Sequence, residues 1–325
     1  MALEESINAR FLPDELPGYE MLKFALPEED DGPLWATLIR KQHHTSEPNV
    51  PAVLYVHGFC DYFFQAHLCD AVQAAGFRFY ALDLRRYGRS IAEGNRANQA
   101  RDVSDYYLEI DWALRFILKS HPFMAGLIAH STGGLILSHY LEQSRLQAQV
   151  RCLILNSPFL EFNLRARELF LVALAARAGR LAPYRRLPDK MSGAYGKTLH
   201  KSELGEWDYN LKLKPLFGFP LFPAWFRMIK RAHAGIKNGL SLELPILAMR
   251  SSASKFPTDS PSSDDFYCDT VLNVNHIRDL TPKLGKRVRP CVIEGGMHDL
   301  YLSRTPARDL ALNETIRFLK EHAQP

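Results

Sequence analysis

The sequence predicts an α/β protein: a mostly parallel, eight-stranded sheet with helices on both faces and a helical segment inserted late in the chain. Three observations predict it. Short apolar runs ending in turn residues alternate with helical stretches from about residue 50 to residue 156. The alternation stops for roughly eighty residues, then resumes to the end of the chain. Runs of this kind suit strands covered on both faces, as the helices of βαβ units require.

The elements follow in order. Residues 18–26 and 33–41 read as extended, and the turn-forming Glu-Glu-Asp-Asp-Gly-Pro at 28–33 between them makes an antiparallel hairpin. Residues 51–57 form a buried-type strand ending at Gly58, 62–75 a helix, and 77–83 the next strand. A long helix is expected over about 99–119. The strand 124–130 leads directly into a helix from Thr132, and 150–156 is another strand. After the gap come a strand at 244–250, a helix near 270–284, a strand at 287–293 and a helix from about 305 to 322. Residues 1–157 and 241–325 are therefore expected to form one core in two pieces. Residues 158–240, rich in prolines and aromatics, are expected to form a helical lid between the sixth and seventh strands.

Composition narrows the class. Of the 325 residues, 46% are hydrophobic and 23% charged, enough for a large core and against disorder. The net charge of +4 is too small to argue for nucleic acid as a partner. Five scattered cysteines form no Cys-x-x-Cys pair and no metal-ligand spacing with histidine, so no metal is expected. The first ten residues carry acids where a signal peptide needs basic residues, which predicts a reduced, cytoplasmic protein. The longest apolar tract, 216–226, is broken by Gly218, Pro220 and Pro223, and falls short of the ~18 residues a membrane span needs.

The chemistry begins at Ala129-His130-Ser131-Thr132-Gly133-Gly134, where a strand ends and a helix begins. A serine there sits on a strained turn that lifts its hydroxyl above the sheet, and small neighbours keep bulk away from nearby backbone. The usual pattern is Gly-x-Ser-x-Gly, and Ala129 stands at its first position. A plainer reading is a serine N-cap followed by glycines that allow close helix packing. A serine nucleophile needs a base. Among 12 histidines, His298 in Gly295-Gly296-Met297-His298 follows the last strand, at the sheet edge that Ser131 also occupies. His57 and His130 each flank a tight turn and read as structural.

The third group must orient the imidazole and stabilise its cation. Chain order in such folds is serine, acid, histidine, so the acid is sought after the strand at 244–250. Asp269 is favoured because it precedes the helix that packs this strand back. Asp259, Asp264 and Asp265 lie in a Ser/Asp-rich stretch, and Glu161 is a further rival after the sixth strand. The oxyanion needs two N–H donors, each worth roughly 3–4 kcal/mol of barrier. Thr132, directly after the nucleophile, supplies one, and the turn His57-Gly58-Phe59-Cys60 offers the Phe59 amide as the other. In Asp83-Leu84-Arg85-Arg86-Tyr87-Gly88-Arg89-Ser90, three arginines fall within five residues. An anion site is one reading; a structural loop in which Arg85 ties strands together is favoured.

Residues 158–240 hold 15 Lys/Arg against 6 Asp/Glu, with many aromatics. Such a lining suits an acyl chain with a polar or anionic head group. The same composition suits peripheral contact with an anionic membrane surface, and any helical lid also needs an apolar core and a charged exterior of its own.

Together, His57-Gly58-Phe59, the 83–90 loop, His130-Ser131-Thr132-Gly133-Gly134, Asp269-Thr270-Val271 and Gly296-Met297-His298-Asp299 resemble bacterial α/β-hydrolases of the monoacylglycerol lipase, lysophospholipase and serine aminopeptidase-like group. The resemblance spans about residues 50–305. It implies the α/β-hydrolase fold, a triad of Ser131, Asp269 and His298, and an oxyanion hole at Phe59 and Thr132. It departs from the group at Ala129 and in the length of the 251–268 loop. The expectation is a serine hydrolase that needs no cofactor and cleaves small carboxylic esters, lipid-like ones included. An aminopeptidase or a non-catalytic ligand-binding homologue is the alternative.

Overall fold

The computed structural model describes residues 10–42, 50–187, 192–256, 258 and 260–323. Nine strands form one sheet in the order β1-β2-β3-β5-β4-β6-β7-β8-β9. The first three are β1 (Leu12–Pro13), β2 (Tyr19–Glu29) and β3 (Gly32–Lys41); then come β4 (Ala52–Val56), β5 (Arg78–Asp83), β6 (Met124–His130) and β7 (Leu153–Asn156). β8 (Ile246–Ser251) and β9 (Val288–Ile293) complete it. Strands β1, β2, β3 and β5 pair antiparallel in turn, and every pairing from β5 through β4 to β9 is parallel. The ninth strand is the two-residue β1, too short and too exposed to leave a pattern in the sequence.

The central strands β4, β6 and β7 are buried at every position, as strands covered on both faces must be. One core lies on the face holding Phe24, Leu54, Trp112 and Leu127; the other holds Tyr55, Phe63, Ile128 and Phe318. The helices are α1 (Ala66–Ala74), α2 (Tyr107–Ile117), α3 (Thr132–Gln143), α4 (Ala166–Ala178), α5 (Ala194–Leu199), α6 (Pro223–Asn238), α7 (Val274–Leu280) and α8 (Ala307–His322). Of these, α4, α5 and α6 lie between β7 and β8, and no ladder strand occurs among the described residues of 158–240.

Several helices are shorter than the sequence predicts, for local reasons. The helix expected at 99–119 begins after a 3₁₀ turn, because the Asp102 side chain caps the Ser104 N–H and Asn98 takes φ +60°. Near 270–284 the Asn273 side chain caps the Asn275 N–H, so α7 starts there. Residues 62–65, expected to be helical, remain a loop before α1.

The 83–90 loop is a set of internal ties. Arg85 makes a bidentate pair with Glu109 on α2 and also lies 3.7 Å from Glu29 at the end of β2, so it ties the loop to a helix and to a strand. Arg86 reaches Glu29 and Asp31 in the hairpin. Arg89 donates to Asp83 at 2.9 Å and to Asp14 at 2.7 Å, with all three side chains almost wholly buried. These arginines already have carboxylate partners, which leaves the structural reading of the loop and not the anion site.

Candidate active site

Ser131 lies between β6 and α3 with φ 50° and ψ −115°, a conformation that L-residues reach only at a cost of about 1–3 kcal/mol. Its surroundings hold it there. The Ser131 N–H donates to the Asn156 carbonyl, and the Ser131 carbonyl accepts from the Gly134 and Phe159 N–H groups. A Cβ at Gly133 would lie 2.4 Å from the His57 oxygen and 2.8 Å from that of Val56, so only glycine lets α3 approach β4 this closely. Gly58 is similarly crowded by His130, at 2.9 Å. Ala129 is fully buried within β6 and is accommodated there.

His298 sits in the loop after β9, and its Nε2 lies 3.0 Å from Ser131 Oγ. Its Nδ1 lies 3.0 Å from Asp269 Oδ2. A carboxylate only accepts, so Nδ1 carries the proton and Nε2 offers its lone pair to the serine hydroxyl. Asp269 Oδ1 accepts from the Val271 and Leu272 N–H groups at 2.8 and 2.7 Å. All three side chains are buried.

The rival acids are engaged elsewhere. Asp265 holds Lys255 and Ser262, and Glu161 faces His233 and Lys237. Asp264 is exposed, and Asp259 lies outside the described residues.

The Phe59 and Thr132 N–H groups have no hydrogen-bond partner among the described residues, and both residues line the cavity that contains Ser131 and His298. His57 and His130 are structural, as the sequence predicts. His57 Nε2 accepts the Leu84 N–H and its Nδ1 donates to the Gly58 carbonyl; His130 Nδ1 faces the Asn156 carbonyl. Burial pushes both imidazoles below their ordinary pKa.

Sequence reasoning passed over four residues that build the site. Asn156, at the end of β7, joins its two halves. Its carbonyl receives the Ser131 N–H, while its side chain donates to Asp299 at 2.7 Å and accepts from the Leu300 N–H. Tyr195 accepts the Asp299 N–H at 3.0 Å and sets its ring edge-on to His298. Asp61 and Lys214 form a buried ion pair on the cavity wall. Only Asn156 left a signal, as a polar residue closing an apolar strand at the catalytic edge.

Asp61, His130 and Asp299 bring potential metal-binding atoms within 4.8 Å of one another. Lys214 already occupies one Asp61 oxygen, and Gln65, Asn156 and the Tyr301 N–H occupy Asp299. A cation there would sit beside the Lys214 ammonium and compete with the hydrogen bonds of Asp299, so the donor set fits a polar core better than a metal.

The cavity above Ser131 measures about 590 Å³. Phe159, Phe162, Val172, Leu221, Trp225 and Phe226 give it an apolar wall, while Asp61, Tyr195, Tyr209 and Lys214 supply polar groups.

Sheet order, serine turn and histidine loop together define an α/β-hydrolase. A family model described as serine aminopeptidase, S33, matches residues 47–304, and the chain belongs to that family. Monoacylglycerol lipase of Mycolicibacterium smegmatis is 29% identical over 133 residues; the match covers 40% of this chain and less than half, 45%, of the relative. Solved structures share the fold at low identity. The monoacylglycerol lipase of Paleococcus ferrophilus superposes with a TM-score of 0.64 at 18% identity, over 89% of this chain and 99% of that one. A soluble variant of Saccharomyces cerevisiae monoglyceride lipase, bound to a substrate analogue, gives 0.65 at 14%, over 92% and 96%. A carboxyl esterase of Bacillus coagulans, bound to glycerol, gives 0.64 at 14%, over 94% and 99%. No helix among the described residues is long and apolar enough to cross a membrane.

Proposed function

We propose that this chain is a serine hydrolase of carboxylic esters, acting on lipid-like substrates of the monoacylglycerol or lysophospholipid type. The observation that carries the reading is the continuous Ser131–His298–Asp269 hydrogen-bond chain at the floor of an apolar cavity. Ser131 Oγ attacks the ester carbonyl carbon as His298 Nε2 takes its proton. The carbonyl oxygen becomes an oxyanion that the Phe59 and Thr132 N–H groups receive. His298 then protonates the departing alcohol, leaving an acyl group on Ser131. Water attacks that acyl group, again giving its proton to His298, and the acid departs as the serine hydroxyl re-forms. Asp269 holds the imidazole in the required tautomer and stabilises its cation.

In this reading residues 158–240 are the lid, whose aromatic side receives the acyl chain. Its outer helix α4 exposes Phe170, Leu171 and Leu174 beside Arg167 and Arg177, a surface suited to peripheral contact with anionic lipid. The named relatives supply the lipid direction. An aminopeptidase would ask the cavity for a carboxylate free to receive a substrate ammonium. Of the two carboxylates that line it among the described residues, Asp61 is paired with Lys214 and Glu168 accepts the Arg165 N–H at the start of α4, which favours the ester.

The test is hydrolysis of p-nitrophenyl esters of graded acyl length, together with labelling by a fluorophosphonate probe. Activity with a chain-length optimum, and labelling abolished by Ser131→Ala, is the expected result. A folded protein that neither hydrolyses any ester nor takes the label is a ligand-binding homologue, and the proposal fails.

A further inference from the structure

The loop carrying the Phe59 amide is gripped along its length by a single stretch of the 158–240 segment. Phe59 packs on Trp225 with ring centroids 4.4 Å apart. Cys60 Sγ accepts the Phe219 N–H at 3.4 Å, and Asp61 Oδ1 accepts from Lys214 Nζ at 2.5 Å. Tyr62 OH accepts the Asn210 N–H at 2.8 Å, and the Phe64 ring lies 4.8 Å from that of Tyr209. Five positions between 59 and 64 thus meet partners between 209 and 225.

The loop needs holding. Cys60 takes φ +51°, a left-handed backbone that a residue with a side chain keeps only when its surroundings impose it. Most of the ties are weak contacts or bonds to backbone groups. Lys214–Asp61 is the charged one, with side chains only 9% and 2% exposed, where an ion pair is far less screened than on the surface. The ammonium is also placed 5.3 Å from the Phe64 ring centre and 5.6 Å from that of Tyr209. Asp61 Oδ2 has no hydrogen-bond partner among the described residues, so this carboxylate takes its orientation from Lys214.

We propose that Lys214 is a positioning residue for the reaction: through Asp61 it fixes the loop that aims the Phe59 N–H at the oxyanion. The stretch 209–225 is then part of the catalytic apparatus as well as a cover over it. The inference rests on the ester-hydrolase reading, which gives the Phe59 amide its role. An oxyanion donor acts on charge that develops only in the transition state, so disturbing it slows turnover and leaves substrate binding almost unchanged.

The experiment uses the full chain as wild type, Lys214→Met, the double variant Asp61→Asn/Lys214→Met, and Lys212→Met, an exposed lysine on the same stretch. Reactive Ser131 is counted with a fluorophosphonate probe, and kcat and KM for p-nitrophenyl butanoate are expressed per titrated site. A purely structural role for Lys214 would reduce the number of sites and not the turnover of each. The expected result for Lys214→Met is a kcat per site lowered about 10- to 100-fold with KM within about twofold. The double variant avoids a buried unpaired carboxylate, so it keeps the test open should Lys214→Met fail to fold, and it is expected to be as slow; Lys212→Met is expected to match wild type. A kcat per site within about twofold of wild type in either Lys214 variant overturns the inference. So does a raised KM at unchanged kcat, which would make Lys214 a substrate-binding group. If wild type itself neither labels nor turns over, or if Ser131→Ala still labels, the ester-hydrolase reading has failed first.

Discussion

Replacing Asp269 by asparagine gives the sharpest test of the proposed triad, because the structure dictates how the new side chain must sit. Oδ1 accepts two backbone N–H groups, from Val271 and Leu272, and an NH₂ cannot take that place. The amide oxygen therefore stays at Oδ1, and the NH₂ faces His298 Nδ1, where Oδ2 now lies 3.0 Å away. To accept from it, Nδ1 must lose its proton and Nε2 must carry one. An imidazole in that tautomer cannot take the proton of Ser131 Oγ. The matching exchange in a well-studied triad lowers kcat about 10⁴-fold, or about 5 kcal/mol of barrier, and the same is expected here. Stability is expected to stay near wild type, since both backbone bonds to Oδ1 survive. The assay is p-nitrophenyl ester turnover and thermal unfolding of Asp269→Asn beside Asp265→Asn and Glu161→Gln. A loss under about tenfold in Asp269→Asn, or an equal loss in either companion, would refute the assignment of the acid.

Three further outcomes are expected. Gly133→Ala places a methyl group 2.4 Å from the His57 carbonyl oxygen, so α3 and the serine turn must retreat by about 1 Å; kcat/KM is expected to fall about 100-fold in protein that still folds, measured per folded molecule. Arg89→Met strips the cationic partner from the Asp14 and Asp83 carboxylates, both buried, and is expected to lower unfolding free energy by about 3–5 kcal/mol in urea titrations. Burial pushes the Glu161 carboxyl up, but His233 and Lys237 outweigh it and hold its pKa at about 2, below the ordinary 4.5. A lowered folded-state pKa contributes stability above about pH 4.5 that is lost as pH falls towards 2. Glu161→Gln is expected to flatten that limb of the stability–pH curve, and an unchanged limb would show that Glu161 contributes nothing to it.

What the sequence made legible was local. Ser131 and His298 each sit where an apolar strand stops at glycine or small residues, a pattern contained in six or seven neighbouring positions. The three groups proposed as a triad do meet, although Asp269 had to be chosen from a loop whose length hides which carboxylate turns inward. Its two N–H donors, Val271 and Leu272, lie just beyond it and mark the turn only in retrospect. Lys214 and Asp61 are 153 positions apart, and nothing local to either marks them as partners. Asn156 reads as the last residue of a strand until the histidine loop is laid against it. Helix lengths were overestimated where an Asp or Asn side chain captured a backbone N–H, since periodicity continues through such a cap while the hydrogen bonding does not.

The two borders of the sheet bear on how this protein behaves when crowded. A long, flat outer strand offers unpaired N–H and C=O groups to any neighbouring chain. Here β1, two residues long and ending in Pro13, covers only Glu20 and Met21 of the eleven-residue β2. At the other border, β9 carries Pro290, which has no N–H to donate, and Arg289, which pairs with Glu321 on α8. The β9 border is therefore a poor template for strand addition, whereas β2 beyond Met21 has no outer strand among the described residues. Self-association at high concentration is therefore expected to involve the outer edge of β2 as well as apolar side chains such as those of α4, and to respond to substitutions along that margin as well as to detergent.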